Sequence, residues 1–255
     1  MTKRMVLTQA KTLLGLLLLL LPLSLKAQVG EYRSDFSLGI NAGYVMSDIG
    51  FDPKVPQTMH TGITAGLSFR YVCEKYFNTI CSVYGELNYA EMGWKQEILT
   101  TSGEPVINTN GVAEQYSRSL SYLQMPIFAH LAWGKERNGF NFFVKAGPQV
   151  GLLISEKITK NYDTPNLSKD GTGRSSGIIE QEGKAIEKKF DYGIAAGLGA
   201  EWSHDKVGHF LIEARYYYGL GNLYNSSKTD YFGRSNNGSI ILKLTYLFGL
   251  SKTSK

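Results

Sequence analysis

FNFFVKAGPQVGLLIS, the stretch from Phe140 to Ser155, splits into two sets when every second residue is taken. Phe140, Phe142, Val144, Ala146, Pro148, Val150, Leu152 and Ile154 are apolar, whereas Asn141, Phe143, Lys145, Gly147, Gln149, Gly151, Leu153 and Ser155 are mostly polar or glycine. Successive side chains of a β-strand point to opposite faces, so the stretch has one greasy face and one wet or small face. It is longer than an ordinary strand of about 5–6 residues. It suits a strand that crosses a bilayer at a tilt, which takes about 9–11 residues. Pro148 cannot donate to a ladder, which predicts a bulge or local break there.

The same period of two recurs along the chain. It is seen in Phe36 to Ser47, Gly62 to Tyr71, Ser82 to Trp94, Tyr116 to Trp133, Phe190 to Ser203, Phe210 to Gly221 and Ser239 to Leu250. The connections between these runs alternate between long and short. Ile49 to Met59, Glu97 to Glu114, Ile158 to Lys188 and Tyr224 to Asn237 are long, while Cys73 to Thr79, Lys135 to Gly139 and His204 to Gly208 are short. Membrane barrels have an even number of antiparallel strands, short periplasmic turns and longer outer loops. The pattern predicts an all-β, transmembrane, antiparallel up-and-down barrel of about eight strands, with both termini periplasmic.

The chain has 255 residues, with 27 Lys and Arg, 22 Asp and Glu, 28 Gly and 16 Tyr. Lys3, Arg4, Lys11 and Lys26 lie in an N-terminal segment without acids; without those four, 23 cations face 22 acids. A nucleic-acid partner, which needs a clustered basic face, is therefore not expected. Residues 1–27 read as a cleaved secretory signal peptide, with a basic start, the apolar run LLGLLLLLLPLSL and a cut after Ala27. An uncleaved anchor is the other reading, but the run is short of the ~20 residues needed to span. Residues 28–255 then form a single barrel domain.

The face opposite the apolar one carries Arg70, Glu86, Lys145, Asp191, Glu201, Glu213, Arg215 and Lys243 among many glycines. A soluble barrel would show more charge and less glycine there; small and charged side chains suit the filled lumen of a narrow barrel. Four cations and four acids predict an ion-pair network that plugs the lumen, with an ion or proton path or a polar ligand site as the sharper alternative. Tyr44, Tyr71, Trp94, Trp133, Tyr192, Trp202, Tyr216, Tyr218 and Tyr246 are candidates for interfacial girdles.

Other chemistry is sparse. His130 falls on the lumen face, and His60, His204 and His209 sit at strand or turn ends without metal-ligand spacing. No catalytic motif is seen, so neither an enzyme nor a cofactor is expected. Gly197-Leu198-Gly199 and Gly219-Leu220-Gly221 lie inside strands and read as clearance for the lumen, not as phosphate loops. Cys73 and Cys81 flank a hairpin turn in an oxidising compartment, where a disulfide and two free thiols are both open readings. The segment from Ile158 to Lys188 is long enough to be a binding loop.

Four segments in order, YLQMPIFAHL (Tyr122 to Leu131), KAGPQVGLLIS (Lys145 to Ser155), DYGIAAGLGAEW (Asp191 to Trp202) and EARYYYGLGNL (Glu213 to Leu223), resemble the PorT-like outer-membrane β-barrel proteins of Bacteroidetes-type bacteria, as does the closing ILKLTYLFGL (Ile241 to Leu250). The resemblance covers nearly all of residues 28–255. It implies a bacterial outer-membrane location, contact with outer-membrane lipid and no established catalytic residues. One branch of the family is associated with protein secretion, so envelope or secretion proteins are the partners it suggests. The expected function is that of a structural or partner-binding barrel acting through its loops or rims. A secretion accessory is the alternative, followed by a small barrel enzyme or narrow channel.

Overall fold

The computed structural model describes residues 30–175, 180–228 and 230–251; the segment expected to be a signal peptide lies outside them. Eight strands run in chain order: β1 (Glu31–Asp52), β2 (Gln57–Tyr76), β3 (Thr79–Glu97), β4 (Gln115–Gly134), β5 (Gly139–Lys160), β6 (Phe190–His204), β7 (Gly208–Asn222) and β8 (Arg234–Ser251). A short helix, α1 (Glu180–Gly183), lies between β5 and β6. Each strand pairs antiparallel with its neighbour in sequence, and β1 closes on β8 from Phe36↔Ser251 to Asp52↔Arg234. Closure leaves no sheet edge through the body of the barrel. No helix among the described residues is long and apolar enough to cross a membrane.

In β4, Leu123, Met125, Ile127, Leu131 and Trp133 are exposed, while Tyr122, Gln124, Phe128, His130 and Ala132 are buried. β5 repeats the pattern, with Phe142, Val144 and Leu152 outside and Asn141, Phe143, Lys145 and Gln149 inside. The apolar set is thus the outer belt and the polar set the interior, the arrangement that lipid outside a narrow lumen requires.

The strands outrun the bilayer. β1 and β5 have 22 residues each, about twice what a crossing needs. Past the belt the outer face meets water, and apolar side chains turn inward instead. This overturns the loop expected from Ile49 to Met59. β1 continues to Asp52 because Ile49 and Phe51 are buried inside, and β2 already begins at Gln57. The Gln57 amide accepts from the Ile49 N–H at 3.3 Å and donates to the Ile49 carbonyl, clamping the tip. Trp94 is likewise fully buried, in edge contact with Phe51 at 5.4 Å, and so is no girdle residue. The other eight candidates point outward.

Pro148 makes no bulge. Its pairing with β6 is continuous (Pro148↔Ile194). On the β4 side the ladder skips two residues between Pro126↔Gln149 and Ala129↔Ala146 without changing register. Proline on β5 therefore costs hydrogen bonds locally but no slip. The bulge lies higher, where Ser121↔Ser155 and Tyr122↔Leu153 enclose the extra residue Ile154. Another shift, between Val72↔Ser82 and Glu74↔Cys81, leaves Cys73 bulged opposite Cys81, and the structure holds both as free thiols.

Candidate functional site

The lumen assembles the predicted charges into layers. Glu86 on β3 occupies the middle layer. Its Oε1 accepts from Arg215 Nη2 at 2.6 Å and from Lys145 Nζ at 3.3 Å. Its Oε2 accepts from Arg215 Nη1 at 2.9 Å, Lys243 Nζ at 2.8 Å and Asn88 Nδ2 at 2.7 Å. Arg215 also donates from Nε to Glu213 Oε1 at 2.8 Å, and Lys145 Nζ lies 2.7 Å from Glu213 Oε2. Three cations and two carboxylates from β3, β5, β7 and β8 thus form one knot. Asn41 on β1 extends it, donating to Asn88 Oδ1 at 2.9 Å and Ser68 Oγ at 2.8 Å.

Aromatic rings wall the knot. Lys145 Nζ is 4.0 Å from the Tyr84 ring centre, and the Arg215 guanidinium is 4.7 Å from that of Phe128. Such contacts favour a cation removed from water. Glycines make the room: a Cβ on Gly197 would meet Glu213 Oε1 at 2.7 Å, and one on Gly199 would meet the Phe143 ring at 2.5 Å. The clearance role read for this Gly-x-Gly is the one the geometry gives it.

Toward the short turns, Arg70 Nη1 donates to Glu201 Oε2 at 2.7 Å, and His209 Nδ1 lies 2.7 Å from Glu201 Oε1. His130 is buried between Tyr84 and Phe143, with Nδ1 3.0 Å from Ser82 Oγ. This layer opens on a polar vestibule lined by Asp35, Arg70, His130, Glu201 and His209 and holding only about 50 Å³ of water-sized space. At its rim, Arg33 and Lys75 hold Glu136, with Lys75 Nζ at 3.0 Å. Partial burial pushes the Glu136 carboxyl up, but these two cations outweigh it and leave it below the usual carboxylate range.

Asp191 departs from the expected network. It sits toward the long loops and accepts from Tyr217 OH at 2.7 Å; no ion pair to it is found among the described residues. Its position on β6 is six residues from Gly197, which pairs with Arg215, and that separation removes it from the knot. Seven of the eight predicted charges therefore meet in two groups, and the eighth stands apart. Sequence reasoning missed His209 as a partner of Glu201; its place on β7 beside the β6–β7 turn was the available signal.

The long-loop end is filled by a different chemistry. Phe51, Trp94, Tyr116, Tyr224 and Phe232 cluster there, all buried. Arg118 crosses the cluster, donating to the Lys184 carbonyl at 2.7 Å and to Glu156 Oε2 at 2.6 Å. Residues 98–114 fold into two successive small hairpins, one closed by Leu99↔Pro105 and the next by Ile107↔Ala113. The β5–β6 loop is braced against them. Glu114 accepts from the Asn166 N–H at 2.8 Å and from Arg174 Nε at 2.9 Å, and Ser175 N donates to the Leu99 carbonyl at 2.8 Å. Ile107, Val112 and Leu167 remain exposed on this cap. Among the described residues, no group of three or more His, Cys, Asp or Glu side chains is placed to hold a metal.

A family model described as outer membrane protein beta-barrel domain matches residues 26–225. No curated protein sequence matches the chain. Among solved structures, the attachment invasion locus protein Ail of Yersinia pestis, in complex with the heparin analogue sucrose octasulfate, is similar at 14% identity. That overlap covers 84% of this chain and 99% of Ail, with a TM-score of 0.36. The outer membrane protein OprG from Pseudomonas aeruginosa matches at 12% identity over 86% of this chain and 98% of its own, with a TM-score of 0.44. Neisserial surface protein A matches at 10% identity over 84% and 97%, with a TM-score of 0.36.

Proposed function

Because the chain belongs to the outer-membrane β-barrel domain family, we propose that it acts in the bacterial outer membrane as a sealed, non-enzymatic barrel that binds a partner protein through its long-loop end. The observation that carries this reading is the division of the molecule. The lumen is packed shut, while the long loops are braced into a firm cap that presents apolar residues. At the middle layer Glu86 has no surface open to water, and Lys145, Arg215, Lys243, Tyr84 and Phe128 have almost none. Ions at that level would have to displace a satisfied charge knot, which is costly. The cap is the opposite case, because Ile107, Val112 and Leu167 are held by a hydrogen-bonded frame instead of being buried by it. Rigid display of apolar groups lowers the entropy cost of binding. By the usual layout of such barrels, the short turns and both strand termini are periplasmic and the cap extracellular.

Within the family, the ordered segments Tyr122 to Leu131, Lys145 to Ser155, Asp191 to Trp202 and Glu213 to Leu223 support the PorT-like branch, and with it a partner among envelope or secretion proteins. The test is capture of partners by the full chain in nanodiscs, compared with a triple variant carrying Ile107→Asp, Val112→Asp and Leu167→Asp. Loss of a specific partner, with folding intact, is expected. Equal capture by both forms contradicts the cap as the binding surface.

A further inference from the structure

The barrel is closed in its body but not at its top. β5 pairs with β6 only as far as Leu152↔Phe190, whereas it continues along β4 from Ser155↔Ser121 to Lys160↔Tyr116. Leu153 still donates its N–H to the Lys189 carbonyl at 2.7 Å. Beyond that, no strand among the described residues pairs with the far side of residues 154–160. All seven of these residues are exposed, on both faces of the strand. The described part of the β5–β6 loop bonds elsewhere, to Gln115, Leu99 and Leu223, across the mouth of the barrel. The result is an open strand edge about 23 Å long at ~3.3 Å per residue.

An open edge offers a row of backbone donors and acceptors to any extended chain. The N–H of Asn161 points to β4, donating to the Gln115 carbonyl, so by alternation the backbone groups of Glu156, Ile158 and Lys160 point to the open side. The side chains bias the choice of partner. Lys157 and Lys160 are on the edge, and Lys188 and Lys189 stand exposed at its foot. Of the nearby acids, Glu156 is held by Arg118 and Glu187 by Lys184, while Asp163 lies beyond the end of the strand. Ile154 and Ile158 are 58% and 43% exposed and provide apolar contact. The lysines disfavour a second copy of the same edge, because like charges would face each other.

We propose that residues Ile154 to Lys160 of β5 are a docking edge for an extended, acidic segment of a partner protein, which adds antiparallel to β5 as a further strand. This deepens the partner-binding reading above and rests on it. Main-chain pairing supplies the attachment, and the lysines and isoleucines select the sequence.

The probe is a fluorescent peptide of alternating glutamate and valine, about seven residues long to match the edge. It is titrated onto the full chain in nanodiscs, beside the same peptide N-methylated at alternate residues so that it cannot pair. The expected result is binding of the first peptide only. Ile158→Pro should weaken binding at least about tenfold, since it removes a donor and blocks approach on the open side. Lys157→Glu with Lys160→Glu should reverse the preference toward a lysine-valine peptide, and Leu167→Asp should change nothing. No binding to the unaltered chain, equal binding of the N-methylated peptide, or binding that survives Ile158→Pro overturns the proposal. The cap reading then still stands on the capture experiment, whose own failure would leave peptide binding untouched.

Discussion

Glu86 accepts from five donors on four side chains and has no surface open to solvent. Removing one member of a buried ionic group leaves the others uncompensated, at a cost of about 3–5 kcal/mol. Glu86→Gln should therefore lower the stability of the folded barrel in phospholipid vesicles by that amount, read as a fall in the urea midpoint. Asp191→Asn gives the contrasting outcome. Its partner is the Tyr217 hydroxyl, which can donate equally to an amide oxygen, so a change of about 1 kcal/mol or less is expected. Similar losses for the two variants would contradict the layered assignment. Glu136, at the rim, sets a pH dependence. Its folded-state carboxyl titrates below its unfolded value, so the stability it adds is present at neutral pH. That contribution fades as pH falls through and below about 4.3. Glu136→Gln should flatten the acid limb of a stability-against-pH curve and leave its neutral region little changed in shape.

At the level of the elements, most strands were legible because lipid outside and packed polar groups inside impose strict alternation. Leu123, Met125, Ile127 and Leu131 could face nothing but lipid once Gln124 and His130 faced inward. That logic stops where the sheet leaves the membrane. On β4, Ser117, Ser119 and Ser121 are outside while Tyr116, Arg118 and Leu120 are inside, so the apolar residues change faces. Ile49, Phe51 and Trp94 follow the inverted rule, which is why their roles were misjudged from the residues alone. The bulge at Ile154 was equally hidden, since Leu153, Ile154 and Ser155 fit either register. Pairing partners within the lumen were not readable either, because strand stagger decides which cation meets which acid; Asp191 shows this. Gly93 marks the upper sheet. It has φ +150°, and a Cβ there would meet the Arg118 carbonyl at 2.0 Å. Ser47 Oγ bonds both its N–H, at 2.9 Å, and its carbonyl, at 3.1 Å. Gly93→Ala should cost about 1–3 kcal/mol through strain and speed protease attack on residues 98–114, with the lower barrel intact.

The molecule as a whole is a closed ladder of eight strands whose interior holds ion pairs at its centre and buried aromatic side chains beneath the cap. Three separate observations meet in that statement. The outer belt is apolar, the knot around Glu86 is buried, and the cap rests on Arg118 and the rings around Trp94. The proposed site of action is therefore at the rims, and among the described residues β5 has no strand partner on its far side beyond Leu153. The most direct test of the sealed interior is current recording from the purified full chain in planar bilayers. The account predicts a silent membrane under steady voltage, with folded protein shown to be inserted. Steady, reproducible conductance steps from pure protein would contradict it.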